Sequence, residues 1–133
     1  LVLQWQESWP ARPEHVGAAR RAAAAAAREA GAAPSVRDGV RIAVTEAVGN
    51  AVLHGYSESP AGSVTVRVEA DGDALHVIVR DDGCGMRPRM DSPGAGLGLP
   101  LMAKVAETMS VGNAPDGGTE VRMTFPLREP VHA

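Results

Sequence analysis

The fold class this sequence predicts is α+β: a two-layer sandwich, with a mostly antiparallel, mixed sheet of about five strands and three helices on one face. Three observations predict it. Stretches at the front, middle and end alternate apolar and polar residues with the period of two that a half-buried strand requires. Between them lie stretches whose apolar residues recur every three to four positions, as on an amphipathic helix. No linker or internal repeat interrupts the 133 residues, so the whole chain, 1–133, is read as one domain around one core.

The elements follow in order. Residues 1–7 alternate (Leu1, Leu3 and Trp5 against Val2, Gln4 and Gln6) and read as an edge strand that Pro10 and Pro13 end. Pro13 suits the first position of a helix, and residues 14–30 are strong helix formers with Gly31 as the stop. The alanine run 22–27 is flanked by Arg20, Arg21 and Arg28 and is too short and too charged at its borders to cross a membrane. A second helix opens at Pro34 and Ser35 and runs to about His54, with Val40, Val44, Ala47, Val48 and Ala51 as its buried stripe. Strands over 63–69 and 74–80 flank an Asp71-Gly72-Asp73 turn, a hairpin signal. A third helix is expected over 99–109, with Pro100 tolerated in its first turn, then a short strand at 109–111. Asp116-Gly117-Gly118 turns the chain into a last strand, 119–127, carrying Val121, Met123 and Phe125 inward.

Composition narrows the function classes. The net charge is −3 with no block of like sign, and the four aromatics (Trp5, Trp9, Tyr56, Phe125) are scattered, so no direct nucleic-acid partner is expected. No apolar run of membrane-spanning length occurs and no leader is read, so no membrane partner is expected either. The single cysteine, Cys84, forms no internal bridge and suits a reducing, cytoplasmic location. His15, His54, His76 and His132 lack metal-ligand spacing, and no Gly-x-Ser-x-Gly motif marks a serine hydrolase.

Three stretches carry chemistry. On the second helix Glu46, Asn50 and His54 stand four residues apart, so successive members lie about 40° round the axis and about 6 Å along it. A carboxylate and a carboxamide at the border of a buried stripe are placed to line a cleft, although a polar helix flank looks the same. Next, Asp81-Asp82-Gly83-Cys84-Gly85-Met86 follows the apolar strand Val77-Ile78-Val79. A carboxylate at a strand end can accept from the exocyclic amine of adenine, and Gly83 and Gly85 let the backbone approach a flat ring. An ordinary Asp-Gly turn would read the same way. Last, Gly94-Ala95-Gly96-Leu97-Gly98-Leu99 opens the third helix, where free N–H groups can cradle phosphate. The glycine spacing matches neither the dinucleotide fingerprint nor the P-loop.

The order of these stretches, closed by Gly117-Gly118-Thr119 before the last strand, resembles the Bergerat-fold ATPases, the superfamily of DNA gyrase, sensor histidine kinases and mismatch-repair proteins. Within it, Val44-Thr45-Glu46-Ala47-Val48-Gly49-Asn50-Ala51-Val52-Leu53-His54-Gly55-Tyr56 and Val79-Arg80-Asp81-Asp82-Gly83-Cys84-Gly85-Met86 look most like the anti-sigma-factor serine/threonine kinases of bacterial partner switching.

The resemblance implies ATP and Mg²⁺ as cofactors. Asp81 would hold the adenine amine with Thr119, and Asn50 would give an oxygen to magnesium, a cation that favours hard oxygen ligands. Gly83, Gly85, Met86, Gly94, Gly96, Leu97, Gly98 and Leu99 complete the implied nucleotide-binding set, the last few meeting the phosphates. Glu46 would be the base for an attacking serine hydroxyl. The implied partners are a sigma factor, a small phospho-accepting antagonist and a second copy in a homodimer. One departure stands out: only eight residues, 86–93, separate Gly85 from Gly94, where such kinases carry a longer lid over ATP. Two readings therefore lead: a kinase that also sequesters its sigma factor, and a nucleotide- or partner-binding module without phosphotransfer. A third, the catalytic piece of a histidine kinase, is weaker because no dimerisation helices with a phospho-accepting histidine are read in the sequence.

Overall fold

In the computed structural model, which describes residues 3–55, 62–82, 98–115 and 117–128, five strands form one sheet in the order β1-β2-β3-β5-β4. The strands are β1 (Gln4–Pro10), β2 (Ser63–Asp71), β3 (Ala74–Asp81), β4 (Thr108–Asn113) and β5 (Thr119–Pro126), and every described pairing is antiparallel. A short 3₁₀ turn, Pro13–His15, leads into α1 (Val16–Glu29); α2 spans Pro34–Gly55 and α3 spans Gly98–Val105.

Strand periodicity decides which side of the sheet the helices cover. Val64, Val66, Val68 and Ala70 of β2, Leu75, Val77 and Val79 of β3, and Val121, Met123 and Phe125 of β5 are all buried. They join one core with Val40, Ala43, Val44, Ala47, Val48 and Ala51 of α2, the small alanines of α1, and Met102 of α3. The intervening residues (Thr65, Arg67 and Glu69; His76 and Arg80; Glu120, Arg122 and Thr124) form the open face. No helix among the described residues is long and apolar enough to cross a membrane.

Local chemistry fixes the ends of these elements. Helix α1 stops because Gly31 takes φ +92, with its N–H on the Arg28 carbonyl and the Ala32 N–H on that of Ala27, the paired bonds of a Schellman cap. The β2–β3 hairpin turns through Gly72 and Asp73, with Asp71 paired to Ala74 and Gly72 at φ +62. A two-residue hairpin loop with glycine first and a positive φ there alone has the form of a type II′ turn.

Several expected boundaries move; the later strands shift at their ends by one or two residues, and three larger changes have a local cause. The first strand runs on to Pro10, because at a sheet edge the missing proline N–H costs no ladder bond. Helical bonding at Pro13 begins as a 3₁₀ turn, and the α-helix proper starts at Val16. The third helix ends at Val105 rather than Met109. Thr108 and Met109 pair instead with Thr124 and Met123, and the Glu107 N–H bonds the Thr124 carbonyl at 2.8 Å.

Candidate functional site

Two polar residues are buried among the described residues, Asp81 at 4% exposure and Thr119 at 2%, and they lie side by side. Asp81 is the last residue of β3 and Thr119 the first of β5, one step beyond the final β3–β5 pair, Arg80 with Glu120. Alternation puts Asp81 on the face of Val77 and Val79, and Thr119 on the face of Val121 and Met123. The backbone N–H of Thr119 donates to Oδ1 of Asp81 over a long 3.4 Å. A carboxylate at the rim of an otherwise aliphatic face is costly to bury unless donors meet it.

The residues just before Thr119 each have a physical reason. Gly117 has φ +105, a conformation side chains resist, and its N–H bonds the Ala114 carbonyl at 3.0 Å. Gly118 is required by space. A Cβ there would stand 1.7 Å from the carbonyl oxygen of Asp81 and 2.6 Å from its carbonyl carbon. Glycine at 118 thus lets β5 start hard against the end of β3, which is what brings Thr119 to Asp81. The sequence marked Gly117-Gly118-Thr119 as a motif but gave Gly118 no role of its own; the close approach shows only in three dimensions.

On α2, Glu46 and Asn50 are half-buried, one turn apart, bordering the fully buried Val44 and Val48 and the nearly buried Ala47 and Ala51. The helix packs on β3, so the element carrying Glu46 and Asn50 abuts the strand that ends in Asp81. Gly49, between them, has open space where a side chain would stand. Helix α3 begins at Gly98 and Leu99, as expected from the glycine-rich stretch, and buries Met102 against the core. Gly83, Gly85, Met86, Gly94, Gly96 and Leu97, with Cys84 and the 86–93 stretch, lie outside the described residues, as do the side chains of His54, Gly98 and Leu99.

The donor set fits the groups the resemblance implies. Asp81 supplies a buried acceptor and Thr119 a hydroxyl beside it, which suits a flat heterocycle with an amine edge. Asn50 supplies a neutral amide oxygen, a hard ligand suited to magnesium.

Behind this pair, on the open face, nothing in the sequence assigns a role to Ser63, Glu120 or Arg122, and Arg80 and Asp82 stand there only as members of the strand-end motif. Arg80 donates Nε and Nη2 to Oε2 of Glu120 at 3.0 and 2.6 Å, and Arg122 Nε donates to Oε1 of the same carboxylate. Burial alone would raise the Glu120 pKa, but the hydrogen bonds and charges of Arg80 and Arg122 outweigh it and hold the carboxyl below the usual glutamate value. Asp82 turns to the other neighbour: its Oδ1 accepts from the Ser63 N–H at 2.8 Å and its Oδ2 from the Ser63 hydroxyl at 3.1 Å.

Comparison with known proteins agrees with this architecture. Residues 9–125 match the family described as histidine kinase-like ATPase domain. The chain is 28% identical over 98 residues to the anti-sigma F factor of Bacillus subtilis, a match taking in 64% of this chain and 66% of that one. It is 33% identical over 96 residues to the anti-sigma F factor of a Thermoanaerobacter species, at the same coverage. With the anti-sigma F factor of Geobacillus stearothermophilus it shares 27% over 124 residues, 84% of each chain. The aligned stretch thus spans about two thirds of the first two relatives' length. Among solved structures, the nucleotide-free catalytic domain of the histidine kinase ThkA has a TM-score of 0.59 at 15% identity, covering 95% of this chain and 99% of that one. At that identity the likeness bears on the fold.

Proposed function

Because this chain belongs to the histidine kinase-like ATPase domain family, we propose that it is an anti-sigma regulator that binds Mg·ATP, sequesters a sigma factor and phosphorylates a serine or threonine of a small antagonist. One observation carries the nucleotide reading: the two buried polar residues of the described core, Asp81 and Thr119, meet at the ends of adjacent strands. A hydrophobic core has no use for a carboxylate there, whereas an adenine amine does.

The residues then divide the work. Asp81 accepts from the exocyclic amine of the base, and Thr119 hydrogen-bonds beside it. Asn50 gives its amide oxygen to magnesium. When bound, Mg·ATP supplies the transferable γ-phosphoryl group with part of its charge neutralised. Glu46, one turn before Asn50, takes the proton from the incoming serine hydroxyl, which makes that oxygen the better nucleophile. A pure binder gains little from a carboxylate at this position, where it repels the ligand's phosphates. The resemblance would have the residues opening α3, Gly98 and Leu99, meet the phosphates, as a helix start can.

The relatives' name, anti-sigma F factor, supports a sigma factor as one partner. The antagonist as phosphate acceptor, a homodimeric working state and a cytoplasmic setting follow from the resemblance read in the sequence. A second reading, nucleotide binding without transfer, is favoured by the short stretch 86–93. Glu46→Gln separates the two. Incubated with labelled ATP and antagonist domains from the same genome, the kinase should label a serine or threonine. The variant should bind nucleotide normally and label about 10²–10⁴-fold more slowly, the usual loss for a general base. A wild-type protein that binds ATP and labels no antagonist leaves only the binding reading.

A further inference from the structure

Asp81 stands where the sheet's own ladder runs out. On one side its register partner is Val64 of β2; on the other, the β3–β5 pairing ends one residue earlier, at Arg80 and Glu120. The strand register thus pairs Asp81 with β2, and toward β5 its carboxylate takes the Thr119 N–H. The two chain neighbours of Asp81, Arg80 and Asp82, project to the opposite, open face by strand alternation. Each is tied sideways, and to a different strand.

Arg80 reaches β5 with two charge-assisted bonds to one oxygen of Glu120, whose other oxygen is held by Arg122. Glu120 is largely buried by this, with 11% of its side chain exposed. Asp82 reaches β2, where both its oxygens accept from Ser63, the first residue of that strand. The ties pull from opposite sides on the residues before and after Asp81.

We propose that the Arg80–Glu120 and Ser63–Asp82 pairs are positioning residues for the nucleotide pocket, a two-sided clamp on the back of the sheet that fixes where Asp81 meets adenine and so sets base selectivity. This rests on the reading of Asp81 as the adenine acceptor. Physically, the clamp matters because a hydrogen bond weakens steeply once its angle or length departs from the optimum. The end of a strand is also where the backbone is least restrained. Neither pair touches the ligand side of the sheet. The exposed Ser63–Asp82 tie should add little to global stability and the part-buried Arg80–Glu120 tie more, so selectivity is compared in folded protein well below its melting temperature.

The test compares ADP with IDP, which differ in the base: IDP carries a carbonyl where ADP carries the amine. Calorimetric titration of both into the full chain and into Glu120→Gln and Asp82→Asn, with folding followed by circular dichroism, reads the placement of Asp81 directly. In each variant the ADP affinity should fall about two- to tenfold, the size of one weakened hydrogen bond, while IDP affinity stays within about twofold. The double variant should lose more selectivity than either single one. Ser63→Ala, which removes one hydroxyl tie and leaves the backbone tie, supplies a gentler variant should Asp82→Asn not fold. An unchanged ADP-to-IDP ratio in folded variants, or a parallel fall of both affinities together with the melting temperature, overturns the clamp. Equal binding of ADP and IDP by the wild type would instead overturn the reading of Asp81 itself.

Discussion

The two faces of the sheet have opposite chemistry along the same strands. On the helix side β2, β3 and β5 present Val64, Val66, Val68, Leu75, Val77, Val79, Val121, Met123 and Phe125, all buried. On the open side the same strands present Thr65, Arg67, Glu69, His76, Arg80, Glu120, Arg122 and Thr124, with the apolar Ile78 tucked among them. Burial of apolar area holds the first face, at roughly 25 cal/mol for each Å² removed from water. The second is laced by ion pairs, Arg67 with Glu69 and both Arg80 and Arg122 with Glu120. The contrast breaks at one place: Asp81 and Thr119 put polar groups on the apolar face, at its end. A departure from a rule that the rest of the face obeys is where function is to be sought.

Substitutions on each face should differ in size and kind. Leu75→Ala removes a fully buried side chain from the helix-side face and should cost about 2–5 kcal/mol of unfolding free energy. Arg67→Ala, on the exposed face beside it, should stay within about 1 kcal/mol by the same denaturant titration. Comparable losses from the two would mean that the open face carries more of the fold than its exposure implies.

Gly118→Ala joins the two faces. Its new methyl group collides with the Asp81 carbonyl, so the strand ends must part, at a cost of about 1–3 kcal/mol. Nucleotide affinity should fall in the protein that remains folded, because the Asp81–Thr119 pair is what moves. A folded Gly118→Ala protein with native affinity would show that the close approach is incidental to binding.

Asn50, the proposed magnesium ligand, lies half-buried on α2. Its replacement by alanine should weaken Mg·ATP more than metal-free ATP if the proposed role as a magnesium ligand is right. Equal losses in titrations with and without Mg²⁺ would make Asn50 a structural residue of α2.

The smallest expected effect lies on the open face and depends on pH. The folded-state pKa of Glu120 is depressed, so its carboxylate contributes stability that is present above the ordinary glutamate pKa of about 4.3 and is lost as pH falls through the lower folded value. Wild-type stability should therefore drop more steeply than that of Glu120→Gln as pH is lowered below that range. Parallel curves would mean that Arg80 and Arg122 do not hold the charge.

Much of this was legible because local chemistry decides it. The buried stripe of α2, the hairpin glycine at 72 and the inward residues of β5 follow from spacing and backbone preference alone. Asp81 and Thr119 were legible as members of an ordered set of motifs, each weak by itself. The end of α3 was not legible, because Met102, Ala106 and Met109 keep helical spacing and only pairing with β5 draws Met109 into a strand. Nor were the ties behind Asp81. Arg80 and Glu120 lie 40 positions apart and Ser63 and Asp82 lie 19 apart, and nothing in either neighbourhood announces the other. Alternation offered one clue: residues two apart on a strand share a face, so Arg80 and Asp82 had to lie together behind Asp81.

Asp81 is the group proposed to recognise adenine. Asp81→Asn keeps the size of the side chain but removes its charge and replaces one acceptor with a donor, which faces the adenine amine unfavourably. Calorimetric titration of ADP into the folded variant should show a loss of about 1–3 kcal/mol of binding free energy relative to wild type, the cost of spoiling one buried polar contact. Native ADP affinity in a variant whose circular dichroism matches wild type would contradict the assignment and return the buried carboxylate to a structural role.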